Sequence, residues 1–366
     1  MGDLAEVITK GTTPTTLKYQ FVEEGINFVK IESISSKGDF YLEKFQYITE
    51  ECHDKLKRSQ LQENDVLFSI AGALGRVALV PKNILPANTN QALALIRIKN
   101  KNVCLKYITV VLSSDVVKNQ TNKQKQGVAQ LNLSLKNISD LVIPLPPLET
   151  QQHMAKTLDL ATEIIEGYRQ KLTELEKLVQ SVFYEMFGDP VENEKGWEVI
   201  PWDNVFNVTT GKLDSNQMDI NGEYPFFTCS KEILRINEYA FDCEALLLAG
   251  NNAAGIYDVK HYVGKFNAYQ RTYVLTLKGD NKKYILFKIL LEQKLNLLRL
   301  QSKGSSTKFL TMKILNNLAF ILPPLPLQEQ FAQIVEKIEE EKALVQEGLR
   351  EAEQLFGGLL QGYFEG

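Results

Sequence analysis

The sequence contains one long segment twice, at a separation of 177 residues. Residues 127–155 and 304–332 align without a gap, and 10 of the 29 paired positions are identical. Unrelated segments of average composition would match at about one position in sixteen. Both copies contain Leu-Pro-Pro-Leu followed three residues later by a glutamine, Gln151 in the first copy and Gln328 in the second. Such a repeat predicts two domains of one architecture, which agrees with a length of 366 residues.

Weaker matches extend the repeat upstream, and they share glycine turns and an Asn-x-x-Gln pattern before a strand-like run. The matching segments are residues 72–80 with 250–259, residues 88–91 with 267–270, and residues 7–11 with 208–212. Short apolar runs between turn residues are typical of strands. Each half therefore reads as a mixed domain of short strands and turns that is closed by a helix.

Two long helices are predicted after the proline pairs at 146–147 and 323–324. Proline lacks a donor and disfavours helix in the residue before it, so each pair stops the preceding structure. Beyond them, apolar residues recur in steps of three and four over residues 154–186 and 331–363, which is heptad spacing. A helix of about 40 residues is about 60 Å long. We therefore expect an antiparallel pair within the chain; the alternative is that each helix packs only on its own domain.

The predicted fold class is α+β, with a pseudo-twofold repeat of two strand-rich domains joined by two long helices that form an antiparallel coiled coil. The expected limits are 1–147 for the first domain, 148–189 for its helix, 190–324 for the second domain and 325–366 for the C-terminal helix. The second domain opens with the aromatic segment 196–202, whereas the first begins almost directly at Gly2. We expect the opening strand of the first domain to be short or missing.

The net charge of −4 hides an alternation of basic and acidic segments. Residues 1–147 carry 18 basic and 14 acidic side chains, and residues 196–324 carry 15 and 12. Residues 148–195 carry 5 and 10, and residues 325–366 carry 3 and 9. A positive balance suits a DNA-facing surface, whereas phosphate repels an acidic helix, which should face another partner. The alternative is that the positive balance of the domains is ordinary scatter.

Several functional classes lack support in the sequence. The chain has no secretory start, no myristoylation pattern and no apolar run long enough for a membrane span, and its four cysteines form no close pair, so we expect a reducing cytoplasm. The three histidines are scattered and form no metal set. The sequence contains no Asn/Asp-Pro-Pro-aromatic motif, no Gly-x-Gly-x-x-Gly before a helix and no phosphate-binding loop. We therefore expect no catalytic centre, no metal and no cofactor.

A strand-rich domain that ends in LPPLETQQ or LPPLPLQEQ and leads into a heptad helix, twice in one chain, resembles the specificity subunit of a type I restriction-modification enzyme. The resemblance covers essentially the whole chain. It implies two target recognition domains, each reading one half of a bipartite site in double-stranded DNA, held apart by the paired helices. It also implies that two methyltransferase subunits dock on the helices and methylate adenine, and that a translocating nuclease subunit can join them.

Two other functions stay open at this point. One is the specificity subunit of a type IIB-like combined nuclease-methylase, which changes the partner and not the role. The other is a coiled-coil scaffold that binds no nucleic acid. A scaffold would leave DNA mobility unchanged even when candidate partners are added.

Candidate DNA-contacting residues are amide and hydroxyl side chains that can match base edges, with cations nearby for phosphate. In the first domain they are Arg76, Asn88, Asn90, Gln91, Lys123, Gln124, Lys125 and Gln130. In the second domain they are Asn251, Asn252, Tyr269, Gln270, Arg271, Lys303, Ser305, Ser306, Thr307 and Lys308. The alternative is that the asparagines are turn residues and that Gln91 and Gln270 cap strands internally. The Gly127 and Gly304 loops differ beyond the shared glycine, so the two half-sites are expected to differ.

Overall fold

A computed structural model describes residues 1–100, 102–123, 132–253, 255–304 and 307–364. The chain divides into two compact units, and both divisions fall inside a long helix. Unit 1 comprises residues 1–168 and 348–366, and unit 2 comprises residues 169–347. Each unit therefore contains one strand-rich domain together with one part of each long helix. None of the helices in the described ranges is long and apolar enough to cross a membrane.

Unit 1 combines a four-stranded antiparallel sheet, in the order β1-β7-β4-β5, with a three-stranded sheet, β3-β2-β6. Its elements in chain order are β1 (Ala5–Lys10), β2 (Ile26–Val29), β3 (Gln46–Ile48), α1 (Glu50–Lys55), β4 (Val66–Ser69), β5 (Val77–Leu79), β6 (Ala87–Thr89), β7 (Leu93–Ile98), α2 (Leu105–Ser113), α3 (Asp115–Lys123), α4 (Leu135–Ser139) and the start of α5 (Leu148–Phe187). Strands β2 and β6 run parallel, with Phe28 opposite Asn88.

Unit 2 contains a six-stranded sheet, in the order β11-β10-β14-β12-β15-β9, and the two-stranded sheets β13-β16 and β17-β8. After the end of α5, its elements are β8 (Glu198–Pro201), α6 (Trp202–Val205), β9 (Phe206–Thr210), β10 (Tyr224–Phe227), β11 (Leu234–Ile236), β12 (Phe241–Ala249), β13 (Asn251–Asn252), β14 (Val259–Ala268), β15 (Thr272–Leu277), α7 (Tyr284–Gln293), α8 (Leu295–Gln301), β16 (Lys308–Phe309), α9 (Met312–Leu315), β17 (Ala319–Leu322) and the start of α10 (Leu325–Phe364).

The two units share one strand arrangement, except that a strand that is continuous in unit 2 is interrupted in unit 1. In unit 2, β14 pairs antiparallel with β12 and, at its end, parallel with β10, with Phe226 opposite Asn267. In unit 1 the same two pairings belong to separate strands, β5 and β6. Pro81 and Pro86 lie between them, and proline cannot donate to a ladder. One long strand in unit 2 therefore replaces two short strands in unit 1.

The strand registers correct the sequence match at the start of the domains. Lys10 lies opposite Ala94, and Thr210 lies opposite Tyr273, so Gly11 and Gly211 are equivalent. The sequence comparison placed this match one residue away. At each glycine the chain passes against the next strand: a Cβ on Gly11 would lie 2.0 Å from the carbonyl oxygen of Thr89, and one on Gly211 would lie 1.7 Å from that of Ala268. Only glycine fits at this crossing in either unit.

The amino ends of the two domains differ. In unit 2, β8 pairs with β17, with Ile200 opposite Phe320. In unit 1, residues 141–147, which match β17 in sequence, lie in no strand. The amino group of Met1 instead donates to the carbonyl oxygen of Leu141 at 2.5 Å.

The long helices run antiparallel in each unit. In unit 1, Gly348 of α10 lies against the ring of Tyr168 of α5. In unit 2, the ring of Phe331 lies 6.0 Å from that of Phe183 and 5.1 Å from that of Phe187. Low numbers on one helix thus meet high numbers on the other. The predicted α+β fold, with two strand-rich domains and an antiparallel helix pair, is confirmed.

Each unit has a core that includes its strands and both helix segments. In unit 1, Phe68 and Tyr107 share a buried cluster with Leu158 of α5 and Phe364 of α10. In unit 2, the corresponding cluster contains Trp202 and Phe320 with Phe183 and Phe331. The helices are therefore structural parts of both cores.

Candidate nucleic-acid interface

Two predicted DNA-contacting segments of unit 2 meet in one antiparallel pair. Asn251 of β13 lies opposite Phe309 of β16, and Asn252 lies opposite Lys308. The main chains of Lys303 and Phe309 also exchange two hydrogen bonds, at 3.1 and 2.8 Å. We call residues 251–252 with 303–304 and 307–309 the unit 2 ribbon. It brings amide and lysine side chains that lie about 50 residues apart in sequence onto one structure.

Gly304 occupies a position of the ribbon that has no room for a side chain. Gly304 has a φ of +107°, and a Cβ there would lie 2.0 Å from the carbonyl oxygen of Thr307. A side chain is excluded by both the backbone conformation and the lack of space. This explains why glycine is one of the shared positions of the repeat.

The ribbon is attached to the start of β15. The N–H of Gly250 donates to the carbonyl oxygen of Arg271 at 2.9 Å, and the N–H of Leu310 donates to that of Gly250 at 2.8 Å. Arg271 and its neighbour Gln270 are exposed, whereas Tyr269 is half-buried. The segment 269–271 is therefore a direct neighbour of the ribbon.

Cations surround this pair of segments. Lys303 and Arg271 are exposed, and Lys308 is half-buried. Lys308 and Arg299 both lie next to Gly255: a Cβ added to this glycine would be 3.3 Å from the Cγ atom of each side chain. The ion pairs among the described residues of unit 2 include Asp258 with Lys260 and Glu292 with Lys288, and none of those found involves Arg271, Arg299, Lys303 or Lys308. Cations without a neighbouring carboxylate are suited to phosphate oxygens.

Unit 1 repeats the two main-chain anchors. The N–H of Ile70 donates to the carbonyl oxygen of Ala92 at 2.9 Å, and the N–H of Leu133 donates to that of Ile70 at 2.9 Å. The loop that ends at Leu133 is therefore anchored like its counterpart in unit 2. Lys123 is exposed at the end of α3. Three candidates of this loop, Gln124, Lys125 and Gln130, lie outside the described residues, as do Ser305 and Ser306 in unit 2.

Asn90 and Gln91 occupy the positions of Tyr269 and Gln270. Gln91 is exposed, and its side-chain oxygen accepts a hydrogen bond from the hydroxyl of Thr13. The side-chain oxygen of Asn90 accepts from the N–H of Ala92 at 3.2 Å, which stabilises the turn. The Nδ2 group of Asn90 remains a candidate for a base edge.

Asn88 is a correction to the predicted contact set, because its side chain is fully buried. Its Nδ2 donates to the carbonyl oxygen of Leu56 at 3.2 Å and to the hydroxyl of Ser59 at 3.1 Å, while its Oδ1 faces the ring of His53. Asn267, the equivalent residue in unit 2, is 4% exposed and is also used internally. The asparagine at this strand end holds the domain together and does not face a ligand.

Arg76 is partly used inside unit 1, and its contact with DNA stays a prediction. Its Nη1 donates to the carbonyl oxygens of Ile34 at 2.7 Å and Ile31 at 3.3 Å, and the side chain is half-buried. These bonds fix the segment after β2 against β5. The sequence placed Arg76 on a glycine turn, where it reads as a free cation, but the chain uses it to satisfy its own backbone.

The structure adds a segment that the sequence comparison missed. The N–H of Tyr269 donates to the carbonyl oxygen of Phe227 at 2.9 Å, and the thiol of Cys229 lies 3.5 Å from that of Arg271. Residues 228–233 therefore adjoin the segment 269–271, and they carry the exposed Lys231. Its counterpart in unit 1 is the segment that follows β2, but the sequence comparison did not align the two, so no sequence signal marked residues 228–233.

Metal binding finds no support in the described part of the chain, where no three His, Cys, Asp or Glu side chains are grouped to hold an ion. The site is a polar and basic surface made by three segments. It is suited to bind an extended anion with polar edges, and it contains no reactive constellation.

Comparison with known proteins agrees with this class of site. The family described as type I restriction modification DNA specificity domain matches residues 1–177 and 194–354. These matches cover most of the chain and fall once in each half of the repeat. The chain therefore belongs to the family of type I restriction modification DNA specificity domains.

Relatives cover different shares of the chain. The specificity subunit of the type I restriction enzyme EcoDI from Escherichia coli is 51% identical over 79 residues, 22% of this chain and 17% of that subunit. The EcoBI specificity subunit from Escherichia coli is 28% identical over 172 residues, 45% of this chain and 35% of that subunit. The MjaIX specificity subunit from Methanocaldococcus jannaschii is 23% identical over 372 residues and covers 92% of this chain and 85% of that one.

Solved structures show the same fold. The S subunit of the type I restriction-modification system from M. genitalium superposes with a TM-score of 0.64 at 16% identity, over 99% of this chain and 94% of that chain. A second solved structure gives a TM-score of 0.58 at 20% identity, over 98% of this chain and 95% of that chain. It comes from work on the structural basis of complex assembly and conformational transition in the type I R-M system.

Proposed function

We propose that the chain reads a bipartite target in double-stranded DNA, with one half-site for the domain of residues 1–147 and one for the domain of residues 190–324. The observation that carries the proposal is the unit 2 ribbon, which joins Asn251 to Lys303 and Lys308. The neighbouring Asn252 stabilises the chain locally, because its side-chain oxygen accepts from the N–H of Ile256 at 3.2 Å. Amide side chains can pair with base edges, and lysines can contact the flanking phosphates. The exposed Arg271 next to the ribbon adds another cation.

The two half-sites differ under this proposal. The anchors of the reading segments are the same in both units, because the main-chain bonds of Ile70 and Gly250 are the same. The side chains that these anchors present are different: Asn90 stands where unit 2 has Tyr269. Shared anchors with different side chains are expected of two readers with one architecture and two targets.

The long helices serve partners in this proposal. Their segments carry twice or three times as many acidic as basic side chains, so phosphate repels them. We propose that two methyltransferase subunits dock on the exposed helix faces and methylate adenine in each half-site, and that a translocating nuclease subunit joins the same assembly. The chain itself supplies sequence reading to the complex.

The test uses the full chain assembled with its methyltransferase partner. We expect the double variant Lys303→Ala/Lys308→Ala to bind target DNA more weakly, and its affinity to depend less steeply on salt. Losing two phosphate contacts lowers the slope of log affinity against log salt by about 1.8. Lys123→Ala should act in the same direction through unit 1, by about 0.9.

A matched control removes two lysines at the other end of β15. Lys278 and Lys282 lie beyond the end of this strand, which starts beside Arg271, and a six-residue strand is about 20 Å long. Lys278→Ala/Lys282→Ala should therefore leave the salt slope close to that of the wild type. Equal slopes for all variants would place the DNA surface elsewhere, and a complex that binds no DNA would favour the scaffold.

A further inference from the structure

Arg58, which follows α1, lies beside a predicted DNA-contacting residue of unit 1. Its Nη2 group donates to the side-chain oxygen of Thr12 at 3.3 Å. The next residue, Thr13, donates its hydroxyl proton to the side-chain oxygen of Gln91. Both Arg58 and Gln91 are exposed. Two neighbouring threonines therefore join a guanidinium group and an amide into one polar surface.

The buried amide of Asn88 fixes the main chain around Arg58. Its Nδ2 group donates to the carbonyl oxygen of Leu56 at 3.2 Å and to the hydroxyl of Ser59 at 3.1 Å. These two residues flank the segment 57–58, so the main chain is held on both sides while the side chain of Arg58 extends into solvent. A cation on an ordered main chain loses less freedom when it binds a ligand.

The charge of the segment 50–58 is divided along the chain. Its acidic residues come first, at positions 50, 51 and 54, and its cations follow at positions 55, 57 and 58. All three cations are exposed, and none of the ion pairs found among the described residues involves them. Positive charge therefore lies at the end of the segment that reaches Thr12.

Unit 2 carries no basic segment at the equivalent place. Asn267, the counterpart of Asn88, donates its Nδ2 group to the carbonyl oxygen of Glu238 at 3.0 Å. Glu238 is exposed, and residues 237–240 contain no lysine or arginine. A contact made by Arg58 is therefore restricted to the half-site that unit 1 reads.

We infer that Arg58 binds a backbone phosphate of the half-site read by unit 1, next to the bases that Gln91 faces. The inference rests on the proposed function and adds a phosphate contact that the repeat did not mark. A guanidinium has five N–H donors, and the bond to Thr12, which is long for an N–H donor, uses one of them. Paired N–H donors of an arginine match the oxygens of a phosphate. Because a phosphate contact carries no sequence information, Arg58 supplies affinity and no base discrimination.

The experiment compares Arg58→Gln and Arg58→Lys with the wild type, each as full chain assembled with methyltransferase. The probes are duplexes that carry the motif methylated by the wild-type complex. We expect Arg58→Gln to bind about 5- to 10-fold more weakly, the effect of one hydrogen-bonded contact. Its slope of log affinity against log salt should be smaller by about 0.9, while Arg58→Lys keeps the charge and the wild-type slope. The unfolding temperature should not change, because the side chain is exposed.

A second set of duplexes locates the contact, with one phosphate at a time replaced by a neutral methylphosphonate. The wild type should lose affinity at one phosphate where Arg58→Gln shows no further loss, since both changes remove the same interaction. The phosphates at which Lys303→Ala/Lys308→Ala shows no further loss should lie in the other half-site. Base substitutions in either half-site should weaken Arg58→Gln and the wild type by equal factors.

Lys99→Ala is the control for removing an exposed cation of unit 1. Lys99 follows the end of β7, which starts next to Gln91, and a six-residue strand is about 20 Å long. This variant should keep wild-type affinity and salt slope. Wild-type binding by Arg58→Gln, additive losses at every methylphosphonate, or weaker base discrimination in this variant would each overturn the inference. Failure of the wild-type complex to bind DNA would instead overturn the proposed function, so the two failures are distinguishable.

Discussion

The side-chain oxygen of Gln328 accepts a 3.0 Å hydrogen bond from the main-chain N–H of Lys283, the residue that precedes α7. The Nε2 group of the same glutamine donates to the carbonyl oxygens of Pro323 at 2.7 Å and Asn281 at 3.1 Å. One buried amide thus joins the start of the long helix α10 to the start of a domain helix. This fixes the start of α10 against the domain of unit 2.

Gln151 repeats the arrangement in unit 1. Its oxygen accepts from the N–H of Cys104, the residue that precedes α2, at 2.9 Å, and its Nε2 donates to the carbonyl oxygen of Pro146 at 2.7 Å. The glutamine of the repeated Leu-Pro-Pro-Leu-x-x-Gln motif is therefore a structural clamp between helix and domain.

We expect Gln328→Leu to destabilise unit 2 by about 2–4 kcal/mol, because the substitution keeps the volume but leaves one N–H and two carbonyl groups buried without their partner. The measurement is the free energy of unfolding of the chain in urea. Gln333→Leu is the control, because Gln333 lies on the same helix but is exposed. Equal effects of the two substitutions would show that the clamp contributes nothing.

The helix pairing in unit 1 predicts opposite effects of one substitution at two glycines of α10. A Cβ on Gly348 would lie 2.7–2.9 Å from ring atoms of Tyr168, whereas Gly358 has no neighbour within 4 Å. Gly358→Ala should stabilise the chain by about 0.5–1 kcal/mol through helix propensity. Gly348→Ala should displace the ring and lower stability by about 0.5–1 kcal/mol. Thermal unfolding checks both, and Tyr168→Leu should restore the gain at residue 348; a gain at Gly348 with Tyr168 intact would contradict the packing.

The alkaline stability of unit 1 should depend on Tyr107. Burial raises the pKa of this phenol to about 12 from 10.0. The unfolded chain releases the proton first, so the folded state binds more protons in this window and stability falls as pH rises from about 10 to about 12. Tyr107→Phe has no phenol to ionise at this position, so this loss of stability is absent from the variant. It should be less stable than the wild type by about 1 kcal/mol at pH 7, where the hydrogen bond to Pro144 is lost, and the difference should shrink above pH 10. Parallel stability profiles from pH 7 to 12 would contradict this assignment.

If the helices hold the two domains apart, the length of the helices should determine the length of the gap between the two half-sites in the DNA target. One heptad inserted into each helix, between residues 168 and 169 and between 347 and 348, keeps the apolar seam in phase. It adds about 10 Å, which corresponds to about three base pairs of DNA. Sequencing of the adenine methylation motif should show both half-sites unchanged and a gap longer by about two to four base pairs. An active variant with the original gap would show that the helices do not set the spacing.

The sequence predicted the features that depend on periodicity and repetition. Proline pairs and heptad spacing located α5 and α10, because both signals are local. The gapless repeat implied a shared junction between domain and helix, and Gln151 and Gln328 now explain part of it. The register of the first strands was wrong by one residue, because short strands carry too few residues to fix an alignment. Only the close approach at Gly11 and Gly211, seen in three dimensions, decides it.

The candidate site was less accessible to sequence reasoning. Asn252 and Lys308 were both predicted, but their pairing joins distant segments and depends on the tertiary fold. Asn88 was wrong because a buried amide and a base-reading amide have the same sequence signature, a polar residue at a strand end.

Unit 1 is built from two separate segments of the chain, and this affects the order in which the two units can fold during synthesis. Unit 2 is a continuous stretch of chain, whereas the core of unit 1 needs Phe364, whose ring lies 5.8 Å from that of Tyr107. Domains usually fold in the order in which they leave the ribosome. Here the first domain to emerge lacks Phe364 until α10 has been synthesised, so we expect the second unit to complete its core before the first. Until then, the apolar surface around Tyr107 is left uncovered, which makes a nascent or truncated chain prone to aggregation.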